Sequence, residues 1–271
     1  MLDYVRALIL GTVQALTEFL PISSSAHLLL IRNWIRFNAV DGLAFDVALH
    51  IGTLVALIAY FERDLSSLWV GFKGSFSTPR SQWGHDQRLS WYILAGTLPA
   101  MFIGAFLEGA MLDLVRRPAV AVTTLIIGGV LFLVFERVAE KSKTIENLTL
   151  AGCVFVGFAQ AVALIPGVSR SGIAILAGMA LKLRREEAAK FAFLLGGPIM
   201  AIAGAKDALA VMHTGLTEHQ ILLFVVGMLT SAIVGWFVIK YVLRFLQNHR
   251  LDVFAYYRFA LAGVVILSMI F

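Results

Sequence analysis

Charge and cysteine are both scarce in this chain. Of its 271 residues only 14% are charged, and Cys153 is the single cysteine. One cysteine excludes an intramolecular disulfide, and its apolar neighbours predict a small core residue rather than a reactive thiol. The net charge of +5 is modest, and most of the excess falls in loops predicted to lie beside lipid headgroups. Nucleic acid is therefore not expected as a partner.

Apolar residues dominate instead. They make up 59% of the chain and give a mean hydropathy of +0.85, well beyond an ordinary soluble domain. A helix needs about 20 apolar residues to cross roughly 30 Å of hydrocarbon. Six runs meet that length and predict an all-α polytopic membrane protein, with transmembrane helices at about 45–61, 89–107, 119–135, 187–205, 220–243 and 254–271.

Two further apolar segments, 2–35 and 148–182, are interrupted midway. Pro21 interrupts the first, and Pro166 with Gly167 interrupts the second, because proline ends a helix. Broken helices occur at membrane depth where protein surrounds them. Each segment is therefore predicted to be a re-entrant helical hairpin that enters and leaves on one side.

The two interrupted segments also share a sequence pattern. One residue of gap before the proline aligns Gly11-x-x-Gln14-Ala15 and Pro21 with Gly157-x-x-Gln160-Ala161 and Pro166. Each half then holds one hairpin and three spans. Because three is odd, the second half starts from the opposite side of the membrane and is inverted relative to the first. We expect a single integral membrane domain, 1–271, built from inverted repeats at 1–136 and 148–271. The alternative to a repeat is that two helix breaks rich in Gly and Ser resemble each other by coincidence.

Basic residues indicate the orientation. The predicted topology places 15 Lys and Arg residues on one side and 6 on the other, with Arg170 left for the site. The richer side is cytoplasmic by the positive-inside rule, so both termini and the mouth of the first hairpin face outward. Asp3 in the opening stretch argues against a cleaved signal peptide.

Two connections have distinct expected structures. The longest polar connection, 62–88, is rich in Ser, Gly and Pro, which predicts an irregular surface segment. Residues 182–187 are expected to form a tight turn.

Gln14 and Glu18 are four residues apart, so they share one helix face just before Pro21. Their oxygens suit Mg²⁺ or Ca²⁺, but a single carboxylate predicts a cation shared with substrate phosphates rather than one permanently bound. Alternatively, the two side chains satisfy backbone groups freed at the break.

Three serines, Ser23, Ser24 and Ser25, follow Pro21 and can cap a new helix. A cap at Ser24 would put His27 at the third helical position. Free backbone amides and the positive helix end attract an anion, and a histidine near a serine hydroxyl can act as its base. The alternative is a serine cap beside a hydrogen-bonded histidine at the membrane interface.

The second motif, 166–172, adds a permanent positive charge. The guanidinium of Arg170 offers paired donors for phosphate oxygens, and the glycines allow close backbone approach. In an apolar stretch Arg170 needs an anionic partner, which is either Glu18 or a substrate phosphate. The further residues predicted to bind substrate are Ser23, Ser25, Gly167, Ser169, Ser171 and Gly172.

The motifs at 14–27 and 166–172 resemble those of the undecaprenyl-diphosphate phosphatase (bacitracin-resistance) family of bacterial membranes. The likeness includes Phe193-Leu194-Leu195, Pro198 and Tyr257-Arg258-Phe259, so it covers essentially the whole chain. It implies removal of the terminal phosphate from undecaprenyl diphosphate, which regenerates the lipid carrier for peptidoglycan. The implied site faces outward from the cytoplasmic membrane, with a polyprenyl diphosphate, membrane lipids and a divalent cation as partners. A homodimer is left open.

By position, the resemblance implies that Ser24 is the nucleophile, His27 the catalytic histidine and Arg170 the phosphate-binding arginine. It makes Glu18 the second acidic residue of the family. The first acidic position accepts Glu or Gln, so Gln14 predicts weaker metal binding here.

Two mechanisms and three function classes follow. Ser24 could attack the terminal phosphorus with His27 or Glu18 as base, or His27 could be the nucleophile or activate water. Inverted repeats also build secondary transporters, so a flippase of undecaprenyl phosphate is the alternative function. A membrane scaffold without chemistry is the third class.

Overall fold

The computed structural model describes residues 1–107, 118–212 and 215–270. Within these ranges the chain forms α-helices and two short 3-10 turns, with no β-strand. Helices satisfy their own backbone groups, as an apolar surrounding requires. In chain order they are α1 Leu2–Phe19, α2 Ser24–Ile35, α3 Gly42–Tyr60, α4 Glu62–Gly74, α5 His85–Leu107, α6 Pro118–Val138, α7 Leu150–Val162, α8 Arg170–Ala180, α9 Arg185–Met212, α10 Glu218–Asn248 and α11 Asp252–Ile270.

Five of the described helices are long and apolar enough to cross a membrane, namely α5, α6, α9, α10 and α11. Helices α3 and α4 qualify as a candidate membrane span only as a pair, and a 77° bend separates them. The described chain thus has five candidate spans, or six if the bent pair counts as one. Each predicted span coincides with one of these helices, although residue 271 lies outside the described ranges. The predicted all-helical membrane class is confirmed.

The connection 62–88 differs from its predicted irregular structure, because α4 occupies half of it. Acidic residues at the start of α4 and Lys73 at its end have the signs that the helix dipole favours. Leu68 is buried, and α4 packs against α5. The Gly, Ser and Pro residues that suggested a loop matter only after α4 ends, where a 3-10 turn forms. In the first half of this connection, apolar packing therefore produces a helix where the composition predicted a loop.

The tight turn expected at 182–187 begins one residue earlier, at residue 181, and it ends where α9 begins, at Arg185. Arg185 pairs with Glu136, which is buried at the end of α6. The same carboxylate accepts a hydrogen bond from the backbone nitrogen of Leu251 at 3.0 Å. One buried carboxylate thus joins the end of α6, the start of α9 and the corner before α11.

Both interrupted segments fold as helix, break and helix. Residues 20–23 separate α1 from α2, and residues 163–169 separate α7 from α8. The helices of each pair pack against each other, and α1 also contacts α8. The interruptions predicted at the two proline sites are confirmed, and the two breaks lie next to each other.

The two breaks share a backbone geometry, in a register that differs from the predicted one. Ser23 has a φ of 75° before α2, and Ser169 has a φ of 71° before α8. Ser23 lies nine residues after Gln14, and Ser169 lies nine residues after Gln160, so the breaks align without a gap. The backbone therefore favours an alignment without a gap over the one on the prolines. The left-handed residue, rather than the proline, determines where the next helix begins.

The other helices surround the breaks. Helix α10 packs against α1 and α3, α11 against α6, α5 against α7, and α9 against α3 and α8. The main buried cluster includes Phe19, Phe132 and Phe193, which lie on α1, α6 and α9. Ordered helices therefore hold the two breaks on several sides.

Candidate active site

A cavity of about 800 Å³ opens where the two breaks meet α3 and α9. The first half of the chain supplies most of its polar lining, and the second half supplies most of its apolar lining. The polar residues include Glu18, Ser23, Ser24, Ser25, Asp46, His50, Gln160, Ser169 and Arg170. The apolar residues include Ala163, Leu164, Ile165, Ile199, Met200 and Ala203.

The carboxylate of Glu18 is the centre of the polar lining. One oxygen pairs with the guanidinium of Arg170, which joins the two motifs. The other oxygen accepts hydrogen bonds from Ser24 Oγ at 3.0 Å and from Gln14 Nε2 at 3.2 Å. A serine hydroxyl that donates to a buried carboxylate has a proton acceptor in place.

Ser24 is the first residue of α2 rather than its cap. Ser23 precedes it in the left-handed conformation, and the Ser23 and Ser25 hydroxyls lie 3.3 Å apart. His27 is consequently the fourth helical residue, not the third as a cap at Ser24 would require. Because Ser23 makes the turn, the Ser24 hydroxyl is free to reach Glu18.

His27 is buried behind the first break and is absent from the cavity lining. Its Nδ1 donates to the carbonyl oxygen of Ser23 at 2.7 Å. Its Nε2 lies 2.8 Å from the hydroxyl of Tyr257, and the two rings stack. Both ring nitrogens are therefore engaged, and neither contacts Ser24. A catalytic role for His27 stays a prediction.

The second break is held by its own serines and by α6. Ser169 Oγ accepts a hydrogen bond from the backbone nitrogen of Gly172 at 3.2 Å, so it caps α8. Gly167 has a φ of +86°, and an added Cβ would collide with Thr124. Ser171 Oγ reaches the Leu20 carbonyl oxygen at 3.4 Å. Of the residues predicted to bind substrate, Ser23, Ser25, Gly167 and Ser169 line the cavity, while Ser171 and Gly172 lie behind it.

Arg258 of α11 fixes both breaks at once. It is fully buried, at 0% exposure, and no carboxylate of the described residues pairs with it. Its guanidinium donates hydrogen bonds of 2.8 to 3.2 Å to carbonyl oxygens only. The acceptors are Pro21 in the first break, Gly167 and Val168 in the second, and Thr124 and Leu125 of α6. In the sequence Arg258 was marked only by the family resemblance and was given no role in the site, although an arginine inside an apolar span is itself a signal.

His50 and Asp46 of α3 were not predicted as site residues. His50 Nδ1 donates to the carbonyl oxygen of Asp46 at 2.8 Å, which leaves Nε2 at 3.8 Å from a carboxylate oxygen of Glu18. Asp46 pairs with Arg32. Two ionisable residues four positions apart inside an apolar run indicate a functional site, so the sequence alone could have identified this pair.

The two residues predicted to hold a divalent cation are placed differently, because Glu18 lines the cavity whereas Gln14 is fully buried behind it and is absent from the lining. The Oε1 atom of Gln14 is buried and has no hydrogen-bond partner among the described residues, and Nε2 of the same amide contacts Glu18. No group of three or more His, Cys, Asp and Glu residues in the described ranges could hold a metal. Glu18 therefore fits a cation completed by substrate phosphates, and Gln14 would join it only if its amide turned its oxygen toward Glu18. The pair does not fit a cation enclosed by protein alone.

Comparison with known proteins covers nearly the whole chain. An undecaprenyl-diphosphatase of Rubrobacter xylanophilus is 47% identical over 266 residues, which are 98% of each chain. One from Geotalea daltonii is 39% identical over 274 residues and the full length of both chains. One from Thermodesulfovibrio yellowstonii is 40% identical over 271 residues, 99% of this chain and 98% of the relative. The model of the bacitracin resistance protein BacA matches residues 7–264, and the chain therefore belongs to the BacA family.

Proposed function

We infer that this chain hydrolyses undecaprenyl diphosphate to undecaprenyl phosphate and phosphate. The relatives named undecaprenyl-diphosphatase support this activity. The observation that carries it is the shared carboxylate of Glu18, which accepts from Ser24 and pairs with Arg170. A nucleophile, its proton acceptor and a phosphate-binding cation thus meet at one cavity wall. Recycling of the lipid carrier for the cell wall, and bacitracin resistance, fit the family.

Ser24 begins the proposed reaction. Its Oγ attacks the terminal phosphorus while Glu18 accepts the hydroxyl proton, and the bond from that phosphorus to the bridging oxygen breaks. Undecaprenyl phosphate leaves, and water then hydrolyses the phosphoserine. Arg170 exchanges its bond with Glu18 for the substrate phosphate and stabilises the developing charge, together with backbone amides at the starts of α2 and α8.

His27 has a supporting part in this scheme, because its ring holds the Ser23 carbonyl beside the nucleophile. The competing scheme makes His27 the nucleophile or has it activate water. It would require the ring to leave both Ser23 and Tyr257.

Glu18 and Gln14 are the residues that we propose to hold Mg²⁺ or Ca²⁺ together with the diphosphate. When bound, the cation neutralises phosphate charge. Because Gln14 carries no charge, we expect weaker binding than a second carboxylate would give.

The activity itself is tested with detergent-purified protein and undecaprenyl diphosphate. We expect phosphate release with Mg²⁺ or Ca²⁺, loss of release with a chelator, and recovery on adding either metal back. Transport without hydrolysis is the competing outcome. A well-folded protein that moves labelled undecaprenyl phosphate across liposomes, and releases no phosphate, would favour a flippase.

We propose that the chain has six spans and two re-entrant hairpins as an inverted repeat. The first repeat, 1–136, holds the hairpin 2–35, and the second, 148–271, holds the hairpin 148–182. The shared spacing from glutamine to left-handed serine supports this duplication. Arg116 and Arg117, counted on the outer side, lie outside the described residues. On this topology the cavity faces outward from the bacterial cytoplasmic membrane.

Single cysteines test this orientation. In a Cys153→Ala background, an impermeant thiol reagent added to intact cells should label Glu218→Cys and leave Glu146→Cys unlabelled. Both parent side chains are exposed, so neither change disturbs packing. Permeabilised cells provide the control, in which both cysteines should react. Labelling of Glu146→Cys from outside would contradict the orientation.

A further inference from the structure

Gln160 is a buried side chain whose hydrogen-bonding groups are unused. It is only 3% exposed, and neither its amide oxygen nor its amide nitrogen has a partner among the described residues. A buried amide without partners costs free energy, and most native structures avoid it. Gln160 also lines the cavity between the breaks. A polar group kept at this cost, in a cavity wall, suggests a partner that arrives with the ligand.

The register between the breaks explains why this amide has no partner. Gln160 is the counterpart of Gln14, since each lies nine residues before its left-handed serine. Gln14 donates to Glu18, four residues further on. The residue four after Gln160 is Leu164, which cannot accept a hydrogen bond. The second half has therefore kept the amide and lost its carboxylate.

The same register separates the chemical roles of the two halves. Ser24 in the first half corresponds to Arg170 in the second, because each follows its left-handed serine. The first half thus supplies the nucleophile and its proton acceptor. The second half supplies a cation and an unused amide, which are groups that bind an anion.

Gln160 shares the cavity lining with both polar and apolar residues, and in the chain it shortly precedes Ala163, Leu164 and Ile165 of the apolar part. Arg170 contacts Glu18 at the polar part, whereas Leu164 is 47% exposed and lines the apolar part with Ile199 and Met200. In a polyprenyl diphosphate, the phosphate attached to the lipid chain is where the charged head group meets the apolar tail. That phosphate stays on the product, while the terminal phosphate must lie at Ser24.

We infer that Gln160 binds the lipid-proximal phosphate of the substrate through its amide nitrogen, and so acts as a substrate-anchoring residue. The inference rests on the proposed function and adds a substrate contact that Ser24, its proton acceptor Glu18 and Arg170 do not supply. The amide donates to a phosphate oxygen that is present in the substrate, the transition state and the lipid product alike. Its loss should weaken binding without slowing the chemical step.

The test compares the parent, Gln160→Met and Gln160→Glu, each as the full chain in detergent. Methionine keeps the length of the side chain and removes the donor, whereas glutamate also adds a charge that repels phosphate. The readouts are kcat and KM for undecaprenyl diphosphate, inhibition by undecaprenyl phosphate and by inorganic phosphate, and thermal unfolding without ligand. Gln247→Met, at an exposed position of α10, is the matched control.

For Gln160→Met we expect KM and the inhibition constant of undecaprenyl phosphate to rise about tenfold, the loss of one hydrogen bond to a charged group. We expect kcat and the inhibition by inorganic phosphate to stay unchanged. Gln160→Glu should raise KM further. The unfolding temperature of Gln160→Met should equal or exceed that of the parent, because an unpaired buried amide has been removed.

Unchanged KM and product inhibition in an active Gln160→Met variant would overturn the inference and leave the proposed function intact. A fall in kcat alone, or destabilisation of Gln160→Met without a change in KM, would overturn it as well. A folded parent that releases no phosphate would overturn the proposed function, and the inference with it.

Discussion

Replacing Ser24 with alanine is expected to lower phosphate release by roughly 10³-fold or more, in line with losses of other catalytic nucleophiles. Ser24 Oγ is the hydroxyl that donates to Glu18, at 3.0 Å. Its removal leaves Glu18 with its bonds to Gln14 and Arg170, so the fold should persist. The measurement is single-turnover phosphate release, combined with quenching in denaturant at neutral pH, which preserves phosphoserine and phosphohistidine alike, and mass spectrometry to find the phosphorylated residue.

Two further variants make this result specific. Ser268→Ala removes a hydroxyl whose one hydrogen bond among the described residues goes to the Val265 carbonyl oxygen, and this variant should keep full activity. Ser24→Cys keeps a nucleophile and should retain part of the activity. Full turnover in Ser24→Ala, with label found on His27, would establish the competing scheme instead.

Replacing Arg258 with lysine is expected to destabilise the protein by about 3–5 kcal/mol, although the charge is kept. The planar guanidinium reaches carbonyl oxygens of both breaks and of α6, whereas a lysine ammonium donates from a single point. Each buried carbonyl left without a donor costs about 1–3 kcal/mol. Because total stabilities are typically about 5–15 kcal/mol, the loss should be plain in thermal unfolding. Activity should fall as well, since both breaks line the cavity.

The control for Arg258 is Arg137→Lys. Arg137 lies on the exposed end of α6 and donates to one carbonyl oxygen, that of Leu133. Its replacement should leave unfolding unchanged. An Arg258→Lys variant with the parent's unfolding temperature would show that the carbonyl contacts do not hold the breaks.

Much of the helical pattern could be predicted because length and apolarity set it directly. Spans of about 20 apolar residues and the interruptions near Pro21 and Pro166 follow from local rules, although Pro99 and Pro198 lie inside helices. The four-residue spacing likewise predicted that Gln14 and Glu18 share a face, and they are hydrogen-bonded.

The remaining features depend on conformation and on contacts between distant residues. The register of the breaks follows the left-handed serines, and a φ value cannot be read from a row of three serines. His27 points to Tyr257, 230 residues away, so its direction depends on where α11 packs. Arg258 contacts backbone oxygens, which every residue carries and no sequence pattern marks.

The contacts of Arg258 bear on how far the side chains of the two breaks can differ. Among the described residues the hydrogen bonds of this guanidinium all go to backbone oxygens, so side-chain substitutions in either break leave these bonds intact if the backbone keeps its course. The two breaks can therefore carry different side chains on a similar backbone course. Ser24 follows the left-handed serine of one break and Arg170 follows that of the other, and both breaks are hydrogen-bonded to Arg258.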